Sequence, residues 1–142
     1  MRKILLSFFA IFVLVLALGF YSKSFAQDDP GEKIRKDYEL QVSQYNEAYK
    51  EFVAARESYR KFRTLSSSEE VLDKGRGALL ARSDVLDSYF EILNASLAEG
   101  PGLSSEVKDL EAVRIKSNRE FIEANRSEIA NSKNLTQLLS KS

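Results

Sequence analysis

The sequence predicts an all-α protein, an elongated antiparallel three-helix bundle made of a coiled-coil hairpin and a third helix, preceded by an N-terminal signal or anchor helix. Three observations predict it. Apolar residues recur at spacings of three and four, as on one face of a helix. The two prolines, Pro30 and Pro101, stand at helix boundaries. No stretch alternates apolar with polar residues as a half-buried strand would.

The chain opens with Arg2 and Lys3, an apolar run from Ile4 to Tyr21, and Ser24-Phe25-Ala26 before the polar Gln27-Asp28-Asp29. A basic start, an apolar middle and small residues at the boundary make a secretory signal. The run is also just long enough to cross a bilayer as a helix. Residues 1–26 are therefore either a signal peptide cut after Ala26 or an uncleaved membrane anchor. Both readings put the remainder in an extracytoplasmic or cell-envelope location, because the basic residues precede the span. No cysteine follows the run, which rules out lipid attachment there.

Residues 27–31 read as a linker and 32–142 as one helical domain. The first helix is expected from about Glu32 to Arg63, on the stripe Tyr38, Val42, Tyr45, Tyr49, Phe52, Tyr59 and Phe62. Thr64 to Ser68 breaks it, and Ser67 with Glu70, or Ser66 with Glu69, has the capping-box spacing that starts a second helix. That helix carries Leu72, Leu79, Leu86, Leu93 and Leu97; Gly75 and Gly77 mark Lys74 to Gly77 as its place to kink or fray. Gly100-Pro101-Gly102 ends it. Ser104 or Ser105 caps a third helix whose apolar residues, Val107, Leu110, Val113, Phe121, Ile122 and Ile129, are sparser. Leu135, Leu138 and Leu139 add a last turn that docks back, and Ser140 to Ser142 form a disordered end. Connections of about five residues make neighbouring helices antiparallel.

Composition excludes several functions. There is no Cys, His or Trp, and the only Met is Met1. The usual zinc and copper ligands, the commonest general base and the thiolate nucleophile are all missing. No catalytic residue, cofactor or metal site is expected, and the protein does not read as an enzyme. Without residues 1–26 the chain has 18 basic and 21 acidic residues. That mild acidity argues against nucleic acid, and membrane contact is expected only through an uncleaved N-terminal segment.

Four features carry candidate sites. Arg56, Arg63 and Arg82 fall on the apolar stripe, where a guanidinium either binds a carboxylate or phosphate or lays its stem on the core and reaches a neighbouring acid. A turn near Ser66 sets Arg82 opposite Lys50 and Arg56 opposite Arg76. Tyr38, Tyr45, Tyr49, Tyr59 and Tyr89 form either a ligand-binding row or ordinary bundle packing. Arg82 and Tyr49 are the residues at which a ligand would be met. Asp84, Asp87 and Glu91 share a helix face; a rigid face supplies too few oxygens for calcium, so they read as a solvated surface. The Asn94, Asn125 and Asn134 triplets match the N-glycosylation pattern, which matters only in a eukaryotic host.

Tyr49-Lys50-Glu51-Phe52, Ala55-Arg56, Tyr59, Lys61-Phe62 and Thr64-Leu65, with Leu79-Leu80-Ala81-Arg82, Asp84-Val85-Leu86 and Tyr89, resemble uncharacterised exported helical proteins of candidate-phyla bacteria. The resemblance spans Tyr45 to Leu97. It implies a bacterial envelope protein and carries no activity with it. The leading expectation is a non-enzymatic envelope protein acting through protein contacts as a scaffold, spacer or assembly subunit, with Phe121, Ile122 and Ile129 as the face for a protein partner or a second copy. The rival is an extracytoplasmic binding module or chaperone that uses the hairpin of the first two helices.

Overall fold

The computed structural model describes residues 30–140, which form helices α1 (Pro30–Phe62), α2 (Leu65–Glu99), α3 (Ser105–Ala130) and α4 (Leu135–Leu139), with no strand among them. The expected signal or anchor segment lies outside the described residues, as do Lys141 and Ser142. No described helix is long and apolar enough to cross a membrane. Pro30 and Gly31, read as linker from sequence, belong to α1; proline suits a first helical turn because its missing N–H has no partner there.

The connection between α1 and α2 is tighter than the sequence suggests. Only Arg63 and Thr64 separate the two helices. Arg63 takes a left-handed conformation (φ 47°), and its N–H donates to the Tyr59 carbonyl at 2.9 Å. Thr64 is the N-cap: its Oγ1 accepts from the Ser67 N–H at 3.2 Å, while Ser67 Oγ accepts from the Thr64 N–H at 3.1 Å. The capping box thus starts three residues before the expected Ser67–Glu70 pair, because a serine hydroxyl serves as the reciprocal partner in place of a glutamate. Left-handed geometry costs a non-glycine residue about 1–2 kcal/mol, whereas glycine adds only about 0.4–1 kcal/mol of unfolded-chain entropy. Arg63→Gly is therefore expected to stabilise the protein by about 0.5–1 kcal/mol, read as a higher urea midpoint with an unchanged slope.

α1 and α2 run antiparallel. The Tyr38 and Tyr89 rings lie 6.3 Å apart, Phe52 packs on Gly75, and Lys74 Nζ donates to Glu51 at 2.8 Å. That hydrogen bond, with the charge of Glu51, raises Lys74 above the ordinary lysine value. The early turn moves the register, so that Arg82 lies level with Tyr45 and Arg56 with Val71, rather than with Lys50 and Arg76 as the sequence suggests.

α2 continues without a break through Lys74 to Gly77, where a kink was expected. A Cβ on Gly75 would lie 3.0 Å from Leu138 Cδ2 and 3.2 Å from the Phe52 ring. The glycine permits close packing from two sides, and that packing compensates its poor helix propensity. Gly77 is different, since a Cβ there meets nothing within 4 Å. Gly77→Ala is expected to stabilise the protein by about 1 kcal/mol, measured by chemical denaturation.

Gly100 closes α2, Gly102 turns the chain at φ 85°, and Ser104 caps α3 by accepting from the Val107 N–H at 3.3 Å. α3 returns along α2, with Lys108 Nζ donating to the Ala98 carbonyl at 3.0 Å. Ile122 and Ile129 are its buried apolar contacts. Between the helices runs an ionic seam. Arg119 donates to both oxygens of Asp87 at 2.7 and 3.0 Å and to Glu91 at 3.4 Å, and Arg126 pairs with Asp84. The three acids read from sequence as a solvated face are thus the α2 side of the α2–α3 contact. The Arg119 guanidinium is held above its already high value, chiefly by its hydrogen bond to Asp87. A cation whose pKa is raised stabilises the fold below its unfolded value, and the gain fades only as pH rises through the folded one. On the cation side the seam is therefore constant through neutrality, and added salt weakens it.

α4 closes one end. Asn134 Oδ1 accepts from the Gln137 N–H at 2.9 Å, and Leu138 is 2% exposed. Arg76 Nη2 donates to the Ser132 carbonyl at 2.6 Å, placing a cation just past the C-terminal end of α3, where the helix dipole favours one. Ser140, expected in a disordered end, donates its hydroxyl to the Gln137 carbonyl at 2.7 Å.

Candidate ligand-binding cavity

α2 is the common partner in this bundle, with α1 on one side and α3 on the other. The interface with α1 is built on aromatic rings, which hold the two backbones apart and leave a channel beside them. Small residues deepen the channel: Gly75 and Ala78 are buried on α2 and line it. α4 lies over one end. The result is a cavity of about 450 Å³, within the range typical of small-molecule sites.

Each element contributes a distinct part of the wall. α1 supplies Tyr45, Tyr49, Phe52, Arg56 and Tyr59 at helical spacing. From α2 come Val71, Gly75, Ala78, Leu79 and Arg82, and from α4 Leu135, Leu138 and Leu139. The wall contains three tyrosines, two arginines and no carboxylate. Tyr45 packs on Tyr49 at 5.9 Å and Tyr49 on Phe52 at 6.3 Å between ring centroids. The Arg56 guanidinium lies 5.8 Å from the Phe52 ring centre, a geometry that orients the cation over the aromatic face.

The structure thus brings Arg82 and Tyr49, the ligand-contact residues expected from sequence, to one cavity. It adds Arg56, Tyr45 and Tyr59 to them and leaves Arg63 in the turn between the helices. The tyrosines divide: Tyr45, Tyr49 and Tyr59 line the cavity, whereas Tyr38 and Tyr89 pair with one another beyond it. The contribution of α4 was not legible, because nothing in a five-residue segment indicates which surface it covers.

No family model, curated protein or solved structure matches this chain.

The residues expected as a protein interface are separated. Ile122 and Ile129 are 8% and 3% exposed and face α2, whereas Phe121 is 67% exposed. Phe121, Ile122 and Ile129 therefore do not form one outward face; Val107, Leu110, Val113 and Phe121 carry the exposed apolar surface of α3. A second hollow between α2 and α3, about 270 Å³, is lined in part by Leu86, Phe121, Asn125 and Ile129. Among the described residues no group of three or more His, Cys, Asp or Glu is arranged to hold a metal. Asn94 and Asn125 lie within helices, and Asn134 is engaged as a helix cap.

Proposed function

We propose that this is an exported, non-enzymatic binding module of the cell envelope, which holds a small apolar ligand between its first two helices and beneath its C-terminal turn. The observation that carries the proposal is the partly open groove of about 450 Å³ between α1, α2 and α4, whose wall is aromatic and aliphatic apart from Arg56 and Arg82. The groove is partly open to solvent and leaves a contiguous apolar wall beside the tilted tyrosine rings, surface of the kind that marks a ligand-binding groove. Export and envelope location enter through the N-terminal pattern of the sequence. The elongated hairpin supplies the frame, since α1 presents its aromatic stripe and α2 its small and aliphatic residues to one shared groove.

Native mass spectrometry of the protein purified without detergent tests this reading. With 1-dodecanol, an uncharged single-chain compound, one bound molecule per chain is expected at saturation. Absence of an adduct up to the solubility limit would refute it.

A second reading, action through protein contacts, is favoured by the exposed residues Leu110, Val113 and Phe121 on α3. Such apolar surface is the usual material of a helix-docking face. Light scattering at two concentrations about tenfold apart, on the natural sequence and on Phe121→Ser, separates the readings. An association that the substitution abolishes supports the contact function, and a monomer in both leaves the cavity as the functional feature.

A further inference from the structure

The cavity carries more charge information than its apolar lining suggests. Arg56 and Arg82 are both exposed at its wall, and among the described residues neither has an ion pair. Arg56 lies over the Phe52 ring, and its neighbour Glu57 is engaged with Arg60 at 3.2 Å. The other cations facing α2 show what an arginine does here when an acid is available: Arg119 takes Asp87 and Glu91, and Arg126 takes Asp84. A chain with more acidic than basic residues beyond position 26 nevertheless lines this apolar channel with two cations and no acid.

The two cations also stand apart. Arg56 is level with Val71 on the neighbouring helix, so the run from Val71 to Arg82 separates them by about 16 Å along the helix axis. Between them lie the aromatic rings of α1, the glycine and alanine of α2, and Leu138 from α4. An elongated apolar channel with a guanidinium near either end matches a molecule with an extended hydrocarbon body and a planar anionic head, because the guanidinium fork binds a carboxylate through two parallel hydrogen bonds.

We infer that the cavity binds a single-chain fatty carboxylate, its acyl chain lying along the channel and its head held by Arg56 or Arg82. The inference rests on the cavity-binding reading above and deepens it by naming the ligand class. Charge complementarity selects this occupant over a second copy of the chain, which would bring its own acids and bases and would need roughly 800 Å² from each partner to form a stable contact.

The test is calorimetric titration of the purified protein with laurate and with 1-dodecanol, which share a chain length and differ in head charge, below the concentration at which laurate aggregates. Laurate is expected to bind at least tenfold more tightly than dodecanol. In Arg56→Gln/Arg82→Gln the preference should vanish while dodecanol binding persists, which shows that the cavity is still formed. One of the two single substitutions should remove most of the preference and so identify the end that holds the head. Equal affinities for the two ligands, or a preference that survives the double substitution, would overturn the ligand class and leave the cavity reading intact. If neither ligand binds, both readings fail. Dimerisation that rises with protein concentration and excludes laurate would assign the channel to a second copy and overturn the inference.

Discussion

Ile129→Ala is expected to lower the stability of the protein by about 2–3 kcal/mol, while Phe121→Ala on the same helix changes it by less than about 0.5 kcal/mol. The contrast follows from burial. Ile129 is 3% exposed against α2, and Phe121 is 67% exposed. Removing a buried isoleucine forfeits its transfer free energy and leaves a void that the surroundings only partly refill. The estimate sits at the low end of the large-to-small range because Ile129 also borders the hollow between α2 and α3, where neighbours can relax and water can enter. No large side chain among the described residues is less than 2% exposed, so each nearly buried aliphatic carries a large share of the fold. For a domain of this size the change corresponds to a drop in Tm of roughly 10 °C. Calorimetry of both variants checks it, and equal losses would show that the face of α3 turned toward α2 has been misassigned.

Leu138→Ala is expected to release α4 while α1 to α3 remain folded. A five-residue helix has no stability of its own, and Leu138 is its buried anchor, seated against Gly75. Burying one leucine contributes about 1.5–3 kcal/mol, comparable with everything that could hold so short a segment. The loss of global stability therefore cannot exceed the docking free energy of α4, although the local consequence is complete. Hydrogen exchange reads the difference directly. The amides of residues 135–139 should exchange at nearly the rate of an unfolded chain, with protection elsewhere in α1 to α3 kept. Because α4 forms one wall of the cavity, affinity for dodecanol should fall in the same variant. Protection that falls evenly over all helices would mean that α4 is part of the cooperative core and no separate cover.

The residues that could be read in advance are those whose signal is local. The helical content, the stripe from Tyr38 to Tyr59, the stop at Gly100-Pro101-Gly102 and the Ser104 cap depend on spacing and backbone chemistry within a few positions. What depends on register was not legible. Overlapping serines after Thr64 offer several capping boxes, and only the structure shows that Thr64 with Ser67 is used; the resulting shift decides which residue faces Arg82. Asp84, Asp87 and Glu91 look solvated until Arg119 and Arg126 arrive from a helix about thirty to forty positions away. Gly75 looks like a weakness in a helix and is a contact surface, because the groups that need its missing Cβ come from α1 and α4. The cavity belongs to this second kind. Arg82 and Tyr49 could be singled out as polar groups on an apolar stripe, but the leucines that complete the cavity wall with them lie at the far end of the chain.

The absence of tryptophan from the sequence makes the location of a bound ligand directly measurable. Leu139→Trp places a single indole on the α4 wall of the cavity, and Leu110→Trp places one on the exposed face of α3, remote from it. Each variant is titrated with 1-dodecanol and the indole emission followed. The cavity account predicts a saturable blue shift, one ligand per chain, for Leu139→Trp and no shift for Leu110→Trp. A shift of equal size in both variants, or one confined to Leu110→Trp, would place binding on the α3 surface and contradict the account.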